Sequence, residues 1–145
     1  MTTKFSDLPL RKETIDALHL HGFTAPFAIQ EMVLPIALAD GDVIGQAKTG
    51  TGKTLAFGIP VIERVIAPND AEWATLEAQG APQVLIVVPT RELCVQVTKD
   101  IEELSHNRGI RTLAVYGGRA FEPQIEALES GVEIVVGTPG RLLDL

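Results

Sequence analysis

The stretch Ala47-Lys48-Thr49-Gly50-Thr51-Gly52-Lys53-Thr54 lies between two segments of different character. Val43 to Gln46, immediately before it, has the short apolar pattern that predicts a strand. Thr51 to Ile66, which overlaps its end, has the pattern of a helix. A glycine-rich turn that leads from a strand into a helix is the context that a phosphate-binding loop requires. The sequence therefore predicts a strand, loop and helix unit at this point.

The rest of the chain continues to alternate strands with helices. The predicted strands are Val84 to Val88, Arg111 to Val115 and Glu133 to Val136. The predicted helices are Arg91 to Ser105, with Leu93, Val97, Ile101 and Leu104 facing inward, and Phe121 to Leu128. Strands that are apolar throughout and alternate with helices require a parallel sheet with helices on both faces. We therefore predict one α/β domain over residues 1–145.

Three other segments surround this core pattern. Pro9 to His21 has the spacing of a short helix that ends at a glycine turn. Ala28 to Ala39 is a second helical stretch, which Pro35 should kink or restart, and Asp40 with Gly41 should form the turn after it. Pro68 to Pro82 is predicted to be a surface excursion with a helical turn near Trp73 to Gln79.

Composition excludes several classes of function. With 145 residues and a net charge of -7, the chain has no general attraction for nucleic acid, so any such binding must be local. Its single cysteine, Cys94, cannot form an intrachain disulfide and is expected to be a small buried residue. No apolar run approaches the ~20 residues of a membrane helix. We expect no membrane association and a cytoplasmic protein.

The glycine-rich turn has the chemistry of a nucleoside triphosphate site. Gly50 and Gly52 allow backbone N–H groups to approach phosphate oxygens, and the following helix directs its positive end at the same anion. Lys53 is predicted to bind the β- and γ-phosphates, and the hydroxyl of Thr54 to ligate Mg²⁺. The alternative is a glycine-rich turn with an incidental lysine. The residues that we expect around the phosphates are Thr49, Gly50, Thr51, Gly52, Lys53 and Thr54.

Segments on either side of this turn narrow the class of nucleotide-binding protein. Gly22-Phe23-Thr24-Ala25-Pro26-Phe27-Ala28-Ile29-Gln30 resembles the Q motif of DEAD-box RNA helicases, and Phe5 lies where that family has an isolated aromatic residue. The resemblance implies that Gln30 reads the adenine edge and that Phe5 stacks on the base, with Phe23 nearby. An amide has a donor and an acceptor in one plane, which suits adenine. Taken alone, Gln30 would be a surface helix residue and Phe5 a core aromatic.

Three segments further along the chain resemble the family's RNA-binding motifs. Pro89-Thr90-Arg91-Glu92-Leu93 resembles motif Ia, Gly117-Gly118 after Tyr116 resembles the paired-glycine motif, and Thr138-Pro139-Gly140-Arg141 resembles motif Ib. Each follows a predicted strand, which places all three at the ligand-binding edge of an open α/β sheet. The resemblance implies that they hold an RNA backbone without base preference. The residues implied are Pro89, Thr90, Arg91, Gly117, Gly118, Arg119, Thr138, Pro139, Gly140 and Arg141.

The resemblance covers nearly the whole chain and implies the first RecA-like P-loop NTPase domain of an RNA helicase, incomplete at its C-terminus. The family's acidic box and second RecA-like domain are not in the sequence. We therefore expect the parent protein to couple ATP hydrolysis to unwinding of RNA duplexes, and this chain to bind but not hydrolyse ATP. The alternatives are a non-hydrolysing nucleotide- and RNA-binding clamp and a DNA helicase of the same superfamily. The oligomeric state stays open.

Overall fold

The structure, a computed structural model, describes residues 4–47 and 52–145. Its contacts divide the chain into two units, Met1–Arg64 and Val65–Leu145. Within the residues described, no helix has the length and hydropathy that crossing a bilayer requires.

The first unit contains three helices, α1 (Lys12–Leu20), α2 (Ala28–Leu38) and α3 (Lys53–Arg64), after a short 3₁₀ turn at Phe5–Asp7. Helix α2 packs along α3. Helix α1 is held to α3 by the carboxylate of Glu63, which accepts hydrogen bonds from the Thr14 hydroxyl at 2.5 Å and the Arg11 backbone N–H at 3.1 Å. The helices predicted at Pro9 to His21 and Ala28 to Ala39 are therefore present, and the helix predicted from Thr51 is described from Lys53 onward.

Two predictions for the first unit are corrected by the structure. Residues 43–46 are not a strand. Apolar residues make a strand only where a neighbouring strand satisfies their backbone groups, and Ile44 is instead fully exposed. Of the two outcomes predicted at Pro35, the restart is wrong, because helix α2 continues through this residue, and the kink stays a prediction. The turn at Asp40 and Gly41 is confirmed, because Asp40 has a left-handed φ of 66° and the Gly41 N–H donates to Ile36 O at 2.9 Å.

The second unit is a parallel sheet with helices. Its strands are β1 (Val84–Val87), β2 (Thr112–Val115) and β3 (Ile134–Gly137), and the order in the sheet is β1-β3-β2. Both pairings are parallel, with β3 between the other two strands. The helices are α4 (Arg91–Ser105), α5 (Phe121–Ser130) and α6 (Pro139–Asp144). The α/β class and the predicted positions of these three strands are confirmed.

Helix α4 shows why its sequence folds as predicted and where the prediction was wrong. The Thr90 hydroxyl caps it by accepting from the Leu93 N–H at 3.2 Å. Val97, Ile101 and Leu104 are buried, as their spacing predicts. Leu93 is 37% exposed, and Cys94 is buried instead. The inward stripe therefore begins at Cys94, which lies three residues before Val97 and seven before Ile101 on the same face of the helix, and Leu93 lies at its exposed margin.

Charged groups hold the start of the sheet in the second unit. Glu133, which directly precedes β3, is completely buried and paired with Arg111, which directly precedes β2. Arg108 is also buried and donates to Asp70 at 2.6 Å and to the carbonyl of Val65 at 2.8 Å. Asp70 lies within the predicted surface excursion, Pro68 to Pro82, and directly precedes its 3₁₀ turn at Ala71–Thr75. The ion pair therefore fastens this excursion to the rest of the unit.

Cys94 is expected to react slowly with iodoacetamide in the folded chain. Its Sγ is buried, 3.3 Å from the carbonyl oxygen of Val136, and burial raises the pKa of the thiol. Both effects slow alkylation because the thiolate is the nucleophile. Mass spectrometry after a timed pulse should show labelling roughly ten-fold slower than in the chain unfolded by urea. Equal rates in the two states would contradict the buried position.

Candidate functional site

In the first unit, Gln30 joins the start of α2 to the turn before α3. Its side chain is only 1% exposed. The amide Nε2 donates to the carbonyl of Gly52 at 2.9 Å, and Oε1 accepts from the backbone N–H of Phe27 at 2.9 Å. Gln30 is thus not the ordinary surface residue that a lone helical glutamine would be. Its amide is held against Gly52, the residue of the glycine-rich turn that directly precedes α3.

Gly52 is at a position that only glycine fits. Its φ is +83°, in the left-handed region. A Cβ added there would lie 2.6 Å from Cδ2 of Phe27 and well inside contact distance of Nε2 of Gln30. The carbonyl of Gly52 also begins the helix by accepting from the Ala56 N–H at 3.3 Å. The close approach of the Gln30 amide therefore depends on the missing side chain.

Lys53 and Thr54 form the first turn of α3, where backbone N–H groups lack partners within the helix. Lys53 is exposed and Thr54 is partly buried. Thr49, Gly50 and Thr51, which were also predicted to bind phosphate, lie outside the described residues. In residues 4–47 and 52–145 no group of three His, Cys, Asp or Glu side chains could hold a metal ion. A Mg²⁺ ion here would need Thr54, phosphate oxygens and water, a set that suits this cation.

The aromatic residues of the first unit differ in exposure. Phe5 is 0% exposed, and its backbone N–H donates to the carbonyl of Thr24 at 3.1 Å. This is the position of a core aromatic. Phe23 and Phe27 are both partly exposed. Stacking of Phe5 on a base stays a prediction, and it requires the ring to gain an open face.

In the second unit, the three predicted RNA-binding segments follow neighbouring parallel strands and so meet at one edge of the sheet. Backbone pairing extends past the strand ends into these segments. The Val88 N–H donates to the carbonyl of Gly137 at 3.0 Å, and the Thr138 N–H donates to that of Val115 at 3.1 Å. The residues that follow are mostly exposed there, namely Pro89, Thr90, Arg91, Gly117, Gly118, Arg119, Pro139 and Gly140.

An open cavity of about 540 Å³ lies between the start of α4 and the loop after β2. It is lined by Arg91, Glu92, Val95, Tyr116, Gly118 and Arg119. The Nη1 atom of Arg91 lies directly against Gly118, where a Cβ would come within 2.5 Å of it. The guanidinium of Arg119 lies over the ring of Tyr116, 5.5 Å from its centroid. Two exposed arginines therefore share one cavity, which suits phosphate groups.

Residues outside the predicted motifs contribute to this edge. Tyr116 and Gln124 are buried, and Phe121 is partly buried beside Arg141. No predicted motif contains Phe121 or Gln124, because both lie in a segment whose pattern is that of an ordinary amphipathic helix. Only their contacts to the loop and to Arg141 distinguish them.

The chain is similar in sequence to proteins that are named as helicases. A profile of the DEAD/DEAH box helicase family matches residues 27–145. DEAD-box ATP-dependent RNA helicase CshA of Streptococcus pneumoniae is 46% identical over 142 residues, or 98% of this chain and 25% of the relative. ATP-dependent RNA helicase RhlB of Pectobacterium carotovorum is 46% identical over 97% of this chain and 32% of its own length. The chain thus spans a third or less of these curated relatives.

Two solved structures share the fold. One is a DEAD box protein from the hyperthermophile Methanococcus jannaschii, with a TM-score of 0.85 and 40% identity over 99% of this chain and 37% of that one. The other is a hypothetical ATP-dependent RNA helicase from Sulfolobus tokodaii, with a TM-score of 0.78 and 34% identity over 94% and 36% of the two chains. The predicted RecA-like fold is confirmed by this similarity.

Proposed function

Because this chain belongs to the DEAD/DEAH box helicase family, we propose that it is the nucleotide- and RNA-binding part of an ATP-dependent RNA helicase. The observation that carries the proposal is the Gln30 amide, which is buried against the carbonyl of Gly52. A group able to read adenine thereby lies beside the turn that would hold the phosphates. The bonds to Gly52 and Phe27 use one N–H and one lone pair of the amide, and the second N–H and second lone pair would contact the base. Neither a surface glutamine nor an incidental glycine turn would require this contact.

The nucleotide site would consist of Gln30 for the base and of the turn with Lys53 for the phosphates. Lys53 is exposed at the beginning of α3, where its ammonium and the N–H groups of the first turn, which have no partner within the helix, would share the phosphate charge. Thr54 would supply one oxygen to Mg²⁺. Mg²⁺ would neutralise phosphate charge during transfer. Phe5, Phe23, Thr49, Gly50 and Thr51 complete the proposed site.

The RNA site would be the edge of the sheet in the second unit. Arg91 and Arg119 offer two exposed cations around one cavity. The other proposed contacts are hydroxyl groups and backbone N–H groups beside glycine, which bind phosphate and sugar without reading bases. Such a local site explains how a chain with a net charge of -7 could bind RNA.

In the parent protein, a second RecA-like domain and an acidic box would complete catalysis. The carboxylates would finish the Mg²⁺ shell and orient the attacking water, and unwinding would follow when the two domains close on RNA. This chain alone would bind without hydrolysing, as the clamp alternative also requires. A cytoplasmic location suits the free thiol of Cys94.

We expect ADP to bind the chain at least about ten-fold more tightly than GDP, measured by calorimetry with Mg²⁺ present. Lys53→Ala should weaken ADP binding by about 10- to 100-fold, because it removes charge-assisted hydrogen bonds to phosphate. Gln30→Ala should mainly reduce the preference for ADP over GDP. Lys99→Ala is the matched control, since Lys99 is an exposed lysine that pairs only loosely with Glu103 at 4.0 Å.

Two outcomes would contradict parts of this proposal. Equal affinities for ADP and GDP in folded wild-type chain would remove the adenine-reading role of Gln30. Unchanged ADP binding in Lys53→Ala, with the same result in Lys99→Ala, would remove the phosphate site itself.

A further inference from the structure

The guanidinium of Arg141 is occupied by contacts within the second unit. Nη1 donates to the carbonyl of Arg119 at 3.2 Å and to Oε1 of Gln124 at 2.9 Å, and Nη2 donates to the same Arg119 carbonyl at 3.2 Å. One face of the group lies over Phe121, 5.4 Å from the ring centroid. A guanidinium has five N–H donors in a rigid plane. Three hydrogen bonds and a stacked ring leave little of it for an external phosphate.

Gln124 extends this arrangement to the other end of the same loop. Its side chain is buried, and Nε2 donates to the carbonyl of Tyr116 at 3.4 Å while Oε1 accepts from Arg141. The contact to Tyr116 is near the upper limit for a hydrogen bond, so the bond is weak. Arg141 and Gln124 together therefore hold the carbonyls on both sides of Gly117 and Gly118.

The paired glycines make such a restraint necessary. Gly118 has a left-handed φ of +84°, and a Cβ added to Gly117 would meet nothing within 4 Å. Glycine backbone loses more conformational freedom on ordering than that of any other residue. If the carbonyls of Tyr116 and Arg119 were not held, residues 117–119 would sample many conformations. Binding of phosphate by their N–H groups would then be weaker, because it would have to order the loop.

We propose that Arg141 is a positioning residue that pre-organises the loop at residues 116–120 for RNA, with Gln124 as its second anchor. Arg91 and Arg119, both exposed at the cavity, are the phosphate-binding cations of this edge. The inference rests on the proposed RNA-binding function. The resemblance to motif Ib implies that Arg141 contacts RNA directly, whereas we infer that it acts by holding the loop. The positive charge of Arg141 serves to strengthen its hydrogen bonds to the carbonyl of Arg119 and to Oε1 of Gln124.

The salt dependence of RNA binding separates the two roles. Each phosphate contact by a cation adds about 0.7 to the slope of log K against log salt for a single strand. Arg91→Gln and Arg119→Gln should each lower that slope by about 0.7. Arg141→Gln should weaken binding about 5- to 10-fold at every salt concentration and leave the slope unchanged.

Two further variants test positioning without relying on loss of charge. Gln124→Leu removes no charge, yet it should weaken RNA binding about as much as Arg141→Gln. Arg141→Lys keeps the charge but cannot reproduce the forked hydrogen bonds, so it should weaken binding like Arg141→Gln. The measurement is fluorescence anisotropy of a labelled oligouridylate strand, titrated with the 145-residue chain at several salt concentrations.

Backbone order parameters from NMR relaxation supply a readout that needs no RNA. In Arg141→Gln and Gln124→Leu, the order parameters at residues 117–120 should fall towards about 0.6, while those of α4 stay near about 0.85. Unchanged order parameters in the loop, or a slope that falls by about 0.7 in Arg141→Gln, would overturn the positioning role. Lowered order parameters in the variants of a chain whose wild type binds no RNA would instead overturn the RNA-binding function and leave the loop restraint standing.

Discussion

Replacing Arg111 with methionine is expected to lower the free energy of unfolding by about 3–5 kcal/mol. Arg111 donates to Glu133 through Nη2 at 2.5 Å and Nε at 3.2 Å, and the Glu133 side chain is 0% exposed. The hydrogen bond to Glu133 raises the pKa of the Arg111 guanidinium, so Arg111 stays charged in the native chain. Methionine would leave the carboxylate buried without its cation.

Glu133→Leu, which removes the other partner of the ion pair, should lower the free energy of unfolding less, by about 2 kcal/mol. The Arg111 side chain is 40% exposed and can turn to water, whereas Glu133 cannot. What Glu133→Leu loses is the acceptor for the Arg111 backbone N–H, which lies 2.8 Å from Oε1. The double variant should recover much of the stability lost in Arg111→Met, since it leaves no buried charge.

The fluorescence of Trp73 can report the unfolding of the two single variants and of the double variant. Trp73 is the only tryptophan of the chain, and the guanidinium of Arg111 lies 5.8 Å from the centroid of its ring. Urea unfolding followed by its fluorescence reports on the second unit directly. Equal losses in Arg111→Met and Glu133→Leu, or a double variant no more stable than Arg111→Met, would contradict the assignment of the cost to the buried carboxylate.

Gly52→Ala is expected to weaken ADP binding by about 30- to 100-fold. Its Cβ would occupy the space of the Gln30 amide and Phe27, so the hydrogen bond from Gln30 to the Gly52 carbonyl could not form. The turn before Lys53 would have to move, and the proposed base-reading amide would lose its position. Left-handed backbone strain would add about 1–2 kcal/mol to the destabilisation of the folded chain.

Gly80→Ala is the matched control because it isolates the strain. Gly80 has nearly the same φ, +84°, and the nearest atom to a Cβ there is Cα of Gly131 at 3.4 Å, an ordinary contact. We expect a similar loss from strain in urea unfolding and an ADP affinity within about two-fold of wild type. Equal ADP affinities in Gly52→Ala and Gly80→Ala would show that the contact with Gln30 has no part in nucleotide binding.

Periodicity within single segments determined much of the fold. The α4 pattern predicted a helix from Arg91 to Ser105, and those are its bounds in the structure. The apolar runs around residues 84–87, 112–115 and 134–137 predicted strands, because each run has turn residues on both sides. The order of motifs also placed the proposed phosphate-binding residues in one stretch and the proposed RNA residues after three strands. Local patterns suffice to predict a helix or strand when the residues that form it are close to one another in sequence.

The tertiary structure decided what depends on partners distant in sequence. Residues 43–46 are apolar enough for a strand, yet a strand needs neighbouring backbone to satisfy its N–H and C=O groups. The hydrogen bond between Gln30 and Gly52 spans 22 residues, and the pair of Arg111 with Glu133 also spans 22. Gln124 has no motif around it and acquires its proposed role only where Tyr116 and Arg141 meet it. Side-chain hydrogen bonds act over about 3 Å, and only folding brings such groups to that distance.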